Sequence, residues 1–188
     1  MCLDDAVFRK VSDTPAPVGI AAEIALPEGR VDPATSAGCL FLEGVQDAGN
    51  VGAILRTAAA FGVPDAVLGP GCADPWSPKA LRAGMGGHFF LQIAASADLA
   101  QALAAFGGTS VCTVARGGTA LCEIDLRGRV GWVFGGEGAG VSGALAAQAG
   151  CRATIAMPGG TESLNVAACA AICLYERDRQ LSRRAARS

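Results

Sequence analysis

Val133-Phe-Gly-Gly-Glu-Gly-Ala-Gly140 and Ile155-Ala-Met-Pro-Gly-Gly-Thr-Glu-Ser-Leu-Asn-Val166 each carry an apolar run into a glycine-rich turn. The first turn holds one acid, Glu137, and the second holds the polar trio Glu162, Ser163 and Asn165. In an open α/β sheet, ligands bind outside the carboxyl ends of the strands, where glycines let a ligand touch the backbone. Two strand ends therefore open onto one place, and the pattern predicts a small-molecule pocket there.

Upstream of these turns, strand-like and helix-like runs alternate. Gly38 to Gly44 predicts a strand, and Val45-Gln-Asp-Ala-Gly-Asn50 a turn into a helix over Val51 to Phe61, capped by Asp47 or Asn50. Ala66 to Gly69 reads as a strand, Lys79 to Met85 as a short helix bearing Lys79 and Arg82, and His88 to Ala94 as strand-like. Asp98 to Phe106 reads as a helix and Ser110 to Val114 as a strand. Val130 to Phe134, a helix over Val141 to Ala149, a strand over Ala153 to Met157 and a long helix from Asn165 complete the chain. This order implies the α/β class: a mostly parallel sheet with helices on both faces. Residues 1–37 read as a linker or leader in which Pro15, Pro17, Pro27 and Pro33 punctuate one edge strand, Gly19 to Leu26; the main domain covers 38–188.

On the helix after Asn50, Gly52 and Arg56 are four apart and share a face. A mid-helix glycine costs about 1 kcal/mol relative to alanine, which hints at close approach. Either Gly52 leaves room for a ligand under the guanidinium, or it eases helix packing and Arg56 snorkels.

Composition bounds the function. At 188 residues, 51% hydrophobic with 26 glycines, the chain fits one globular domain with its own core. The eight cysteines form no CxxC pair and lie mostly in apolar runs, which points to reduced core thiols in a cytoplasmic protein. No signal-peptide pattern and no membrane-length apolar run is visible. A net charge of −2 and a pI near 5.4 lack the basic balance of a chain that grips nucleic acid unaided. The exception is Glu176 to Ser188, with five arginines against two acids, which reads either as a solvated helix end or as a phosphate-binding tail.

Several chemistries drop out. His88 is the single histidine, so a multi-histidine metal site is impossible, and the cysteines lack zinc spacing; no metal is expected. There is no P-loop, and no GxSxG elbow accompanies His88, which reads as a packing residue beside Phe89 and Phe90. Gly138-Ala-Gly-Val-Ser-Gly143 matches GxGxxG between a strand and a helix, but the next strand ends in Met157-Pro-Gly-Gly160 rather than in an acid for a ribose.

Asn50-Val-Gly52 with Arg56, Gly135-Gly-Glu-Gly138, and Ile155-Ala-Met157 leading to Ser163-Leu-Asn165-Val resemble the three motifs of the SpoU/TrmH family of RNA ribose 2′-O-methyltransferases, within the SPOUT superfamily. The resemblance runs from about Pro17 to Arg179 and includes Arg82-Ala83 between the first two motifs. It implies a deep C-terminal trefoil knot whose loops hold S-adenosylmethionine, which general rules about connections would never suggest. Carried over by motif, the cofactor-binding residues are Gly135, Gly138, Ile155, Met157 and Leu164. It also implies a homodimer with the active site at the subunit interface and the last helix contributing.

The catalytic set the resemblance implies is Arg56, Asn50, Glu137, Ser163 and Asn165. A guanidinium is effectively always protonated, so Arg56 reads as a clamp on the target nucleotide's phosphate that stabilises developing alkoxide charge, rather than as a base. Asn50, Glu137, Ser163 and Asn165 orient Arg56 and the ribose by hydrogen bonds, or cap their own turns. The implied partner is RNA, 23S ribosomal rather than transfer RNA, with no DNA and no membrane. Transfer RNA and a non-catalytic RNA-binding or assembly role are the alternatives. Ala48, Gly84 and Gly136 depart from the family's commoner proline, serine and asparagine, serine or alanine; Ala48 and Gly84 are expected to loosen their loops. Many rRNA-modifying relatives carry an N-terminal RNA-binding domain, and this chain starts near where their linker ends.

Overall fold

A computed structural model describes residues 2–12, 17–27, 30–159 and 161–185, with side chains through Ser182. Seven strands form one sheet: β1 (Gly38–Glu43), β2 (Asp65–Leu68), β3 (Gln92–Ala94), β4 (Thr109–Thr113), β5 (Thr119–Ala120), β6 (Val130–Gly135) and β7 (Cys151–Thr154). Their order is β3-β2-β1-β6-β4-β7-β5, and every pairing is parallel. Parallel strands are buried on both faces, which is why Gly38 to Glu43 and Val130 to Gly135 are near-continuous apolar runs.

Alternation along those runs divides the core in two. Leu40, Leu42, Trp132 and Phe134 pack on one face with α2 (Ala48–Ala60) and α6 (Val166–Ala185). Cys39, Phe41 and Val133 pack on the other with α4 (Leu99–Ala105) and α5 (Gly143–Gln148). α3 (Pro78–Gly84) lies against α2, while α1 (Asp5–Val11) buries no residue. Trp132, the largest fully buried side chain, stacks on Phe134 at 6.1 Å. Arg129 ties residues before β1 to the core: its guanidinium donates to the carbonyls of Ser36 and Ala34, both at 2.8 Å, and lies over the Phe106 ring.

Three expectations change. Gly19 to Leu26 forms no strand pairing among the described residues; Val18, Ile20, Ile24 and Leu26 are 58% to 90% exposed, and Pro17 and Pro27 withhold ladder donors at either end. His88 to Ala94 splits into a 3₁₀ turn, Gly87–Phe90, and the short β3, because His88 turns inward. The strand predicted over Ala153 to Met157 ends at Thr154. α1, capped by Asp4 accepting from the Ala6 N–H at 2.7 Å, and the two-residue β5 were not anticipated.

In the C-terminal helix, Arg179 makes a two-pronged bond to Glu176, both arms 2.7 Å, and Arg177 reaches the Gly128 carbonyl at 3.3 Å. These two arginines serve the fold. The phosphate-tail reading of Arg183, Arg184 and Arg187 falls outside the described side chains. Among the described residues no helix is long and apolar enough to cross a membrane.

Candidate active site

The carboxyl ends of β6, β4 and β7 open onto a cavity of about 470 Å³. It is lined by the glycine-rich turn from Gly135 to Val141, by Thr113 to Ala115 after β4, and by Ile155, Met157, Glu162, Ser163 and Leu164. All five residues expected to bind cofactor, Gly135, Gly138, Ile155, Met157 and Leu164, thus border one space, with Glu137 and Ser163 beside them. β7 ends early for this reason: Ile155 and Met157 leave the ladder to wall the cavity.

The turn over Glu137 is pinched at its base. Gly136 donates to the Glu43 carbonyl at 2.8 Å, and Gly140 donates back to Gly136 at 2.9 Å. A Cβ on Gly135 would sit 2.0 Å from the Gly140 carbonyl carbon, and one on Gly136 would sit 2.2 Å from the Gly44 carbonyl oxygen. Both positions require glycine, so Gly136 is a fit to this backbone. The Glu43 carboxylate accepts from the Ser142 N–H at 2.7 Å and fixes the far end of the turn. Ser142 itself caps α5 through the Leu145 N–H. The GxGxxG segment is therefore engaged by protein groups.

Glu137, at the turn's tip, is joined to the other motifs by side-chain amides. Asn50 donates to the Glu137 carboxylate, and Asn165 donates to the Asn50 side-chain oxygen at 3.0 Å. Asp47, rather than Asn50, caps α2, accepting from Gly49 at 2.7 Å and Asn50 at 3.1 Å. Lys79, 2.6 Å away, and these N–H groups hold the Asp47 carboxyl below its ordinary pKa. Because Asp47 does the capping, α2 starts at Ala48 and the Asn50 side chain is free to bond Glu137 and Asn165. Asn165 does both jobs: its oxygen accepts from Ala167 at 2.9 Å and Ala168 at 3.2 Å, while its nitrogen reaches Asn50.

Arg56 stands apart from this cluster. It is exposed on α2, six residues beyond Asn50 and so roughly 120° around the helix from it. It does not border the cavity. Gly52 on its face is a packing residue: a Cβ there would sit 2.2 Å from the Ala80 carbonyl oxygen of α3, so no ligand space exists beneath it. Gly84 likewise loosens nothing, since the His88 ring occupies the place a Cβ would take, 2.4 Å from its Cε1. His88 is a buried packing residue as expected, but its ring lies 5.3 Å from Trp76 rather than against Phe89 and Phe90, which are exposed, and its Nε2 is bonded to the Pro75 carbonyl at 2.8 Å.

Sequence reasoning missed Glu43, Thr113 and Cys169. Cys169, on the first turns of α6, borders the cavity. A hydrogen bond from Cys173 one turn on lowers the Cys169 thiol pKa, and the same bond together with burial raises that of Cys173. Thr113 was findable as the residue ending the strand beside β6, where ligands gather in open sheets.

The cavity suits the implied cofactor. Its volume lies in the usual range of about 300–1,000 Å³ for small-molecule sites, and its lining mixes apolar walls, Val114, Val141, Ile155 and Leu164, with bare backbone at the glycines and two acids, Glu137 and Glu162.

A family model described as the SpoU rRNA Methylase family matches residues 38–175. The 23S rRNA (guanosine(2553)-2′-O)-methyltransferase RlmP of Bacillus subtilis is 35% identical over 175 residues, covering 92% of this chain and 70% of its own length. An AdoMet-bound rRNA methyltransferase from Sinorhizobium meliloti superposes with a TM-score of 0.81 at 31% identity, over 95% of this chain and 70% of that one. The SpoU methyltransferase AviRb from Streptomyces viridochromogenes, in complex with AdoMet, superposes with a TM-score of 0.71 at 28% identity, over 82% of this chain and 66% of that one.

Proposed function

The chain belongs to the SpoU rRNA methylase family of S-adenosylmethionine-dependent RNA methyltransferases, and we propose that it methylates a ribose 2′-hydroxyl of ribosomal RNA at a site completed by a second copy of itself. The observation that carries this reading is the convergence at one cavity: three motifs far apart in sequence meet through Glu137, Asn50 and Asn165 beside a cofactor-sized space. Gly135, Gly138, Ile155, Met157 and Leu164 hold S-adenosylmethionine, which supplies a methyl group already activated on its sulfonium.

The protein's task is then positioning, and help for a poorly acidic hydroxyl. Glu137 is held at the mouth of the cavity by Asn50, whose orientation is in turn fixed by Asn165. Ser163 borders the same space and offers a hydroxyl to the ribose. Arg56 clamps the target nucleotide's phosphate and stabilises charge developing on the attacking 2′-oxygen, with the proton leaving to water or the phosphate. Since Arg56 is exposed and does not border its own chain's cavity, it serves the cavity of the partner in a homodimer. This reading also places a trefoil knot at the C-terminal end, supported by β6 lying between β1 and β4 while α6 returns from β7 to pack on α2. The catalytic domain is 38–188, with 1–37 as its leader, acting in the cytoplasm where its RNA is.

Labelled methyl transfer from S-adenosylmethionine to unmodified ribosomal and transfer RNA, followed by nuclease digestion and mass spectrometry, tests the reading. The expected product is a 2′-O-methylated nucleoside from ribosomal RNA that is absent with Arg56→Ala. Label on transfer RNA alone would move the substrate class; a bound cofactor with no label on either RNA would favour a non-catalytic RNA-binding or assembly role.

A further inference from the structure

Among the described residues, the most exposed large hydrophobic side chain after β2 is aromatic. Phe89 is 88% and Phe90 75% exposed, and Met85 and Leu81, four residues apart just before them, are 71% and 42% exposed. Two bare phenylalanines in a chain whose aromatic content is 5% call for an occupant.

The turn that carries them is held firmly. His88 before them and Leu91 after them are buried, at 6% and 7% exposure. A Cβ on Gly87 would sit 2.8 Å from the Arg56 Cα, so the turn rests directly on the backbone of Arg56. α3 is seated on α2 at Gly52, and Met85 closes α3 in a left-handed conformation at φ 46°. The two rings are thus presented by a rigid unit and not by a loose loop.

Charge selects the partner. From Ala48 to Pro64, and again from Pro75 to Ala97, the chain contains no aspartate or glutamate, while these segments carry Arg56, Lys79 and Arg82. Arg56 and Arg82 are exposed, and neither makes an ion pair among the described residues. An isologous contact of this patch with itself would set like charges against each other. Exposed aromatic rings on a segment that also carries unpaired guanidinium groups suit a strand that is anionic along its backbone and flat at its bases.

We propose that Phe89 and Phe90 form a stacking platform for unpaired bases of the RNA, next to the target nucleotide clamped by Arg56. The proposal rests on the methyltransferase reading and adds how an acidic chain holds its substrate: by stacking and a local cationic patch instead of overall positive charge. Arg82 supplies a phosphate contact at the platform's edge.

The test measures binding of a fluorescein-labelled single-stranded oligoribonucleotide of about ten nucleotides, a length in the range such surfaces cover, and of its abasic counterpart. Wild type, the double variant Phe89→Ala/Phe90→Ala, Phe89→Trp/Phe90→Trp and Arg82→Gln are compared. Methyl transfer by the wild type, cofactor affinity and sedimentation are followed in the same preparations. Loss of one stacking ring costs roughly five- to a hundredfold in affinity, so the alanine pair should bind the normal oligomer at least about thirtyfold more weakly, with the tryptophan pair restored. The abasic oligomer should bind weakly to every variant, and Arg82→Gln should flatten the log–log salt slope by about 0.7. Cofactor affinity should not move. An alanine pair that binds RNA as the wild type does overturns the platform and leaves the methyltransferase reading intact when the wild type methylates RNA. An alanine pair that turns a wild-type dimer into a monomer also overturns it, assigning the patch to the subunit interface. A wild type that binds cofactor but neither binds nor methylates RNA overturns both readings.

Discussion

The side-chain amide of Asn165 donates to that of Asn50 at 3.0 Å across 115 residues of sequence, and Asn50 passes the constraint on to Glu137. This chain of amides joins the start of α2, the turn after β6 and the start of α6. It sets a carboxylate at the mouth of the cavity by side chains that each have another local duty within reach.

Asn50→Ala cuts the link at its middle. Asp47 still caps α2, so the fold should persist, as judged by circular dichroism. Misplacement of a positioning group by about 1 Å costs on the order of a hundredfold in rate, and a loss of that size in methyl transfer is expected with cofactor affinity nearly unchanged. A parallel loss of cofactor binding would instead make Asn50 part of the cofactor site.

Asn165 separates capping from positioning. Asn165→Asp keeps an oxygen for the Ala167 and Ala168 N–H groups but turns the donor toward Asn50 into an acceptor. Its stability should stay near wild type while activity falls. Asn165→Ala should lose activity and, in addition, about 1 kcal/mol of stability from the missing cap. Equal activity in the aspartate variant and the wild type would reduce Asn165 to a cap.

Gly52→Ala reverses the usual sign of a helix substitution. Glycine to alanine in a helix normally gains about 1 kcal/mol. Here the new Cβ would lie 2.2 Å from the Ala80 carbonyl oxygen, so α2 and α3 must separate, and urea denaturation should report a loss of about 1–3 kcal/mol.

Cys169 should report on cofactor occupancy. With the exposed Cys2 and Cys122 replaced by serine, iodoacetamide should modify Cys169 first, because the bond from Cys173 favours its thiolate. A lowered pKa means that the rate rises with pH, and levels off, at lower pH than for an ordinary thiol. Saturating S-adenosylmethionine should protect it; an unchanged rate would place the cofactor away from α6.

How far the sequence carried the reading depends on the residue. The buried parallel strands were legible because burial on both faces leaves apolar runs without alternation, as at Gly38 to Glu43 and Val130 to Gly135. The cavity was legible because its walls are glycine-rich strand ends. Gly19 to Leu26 looked like a strand because propensity sees the residues and not the missing neighbour. The role of Gly52 was undecidable until α3 was placed against it. Arg56 shows the sharpest limit: its motif neighbour Asn50 bonds Glu137 at the cavity, yet the turn of the helix sends Arg56 elsewhere, and its backbone lies beneath the turn that carries Phe89 and Phe90. Only the assembled backbone reveals that separation.

The composite site is tested most directly by mixing two inactive chains. Gly138→Leu fills the cavity without backbone conflict, since a Cβ there meets nothing within 4 Å, and Arg56→Ala removes the clamp. In a two-fold dimer whose site takes its cavity from one chain and Arg56 from the other, random exchange makes about half the dimers mixed, each with one of two sites intact. The mixture should regain about a quarter of wild-type methyl transfer. A mixture that forms mixed dimers by native mass spectrometry yet stays as inactive as its parents would contradict the shared site.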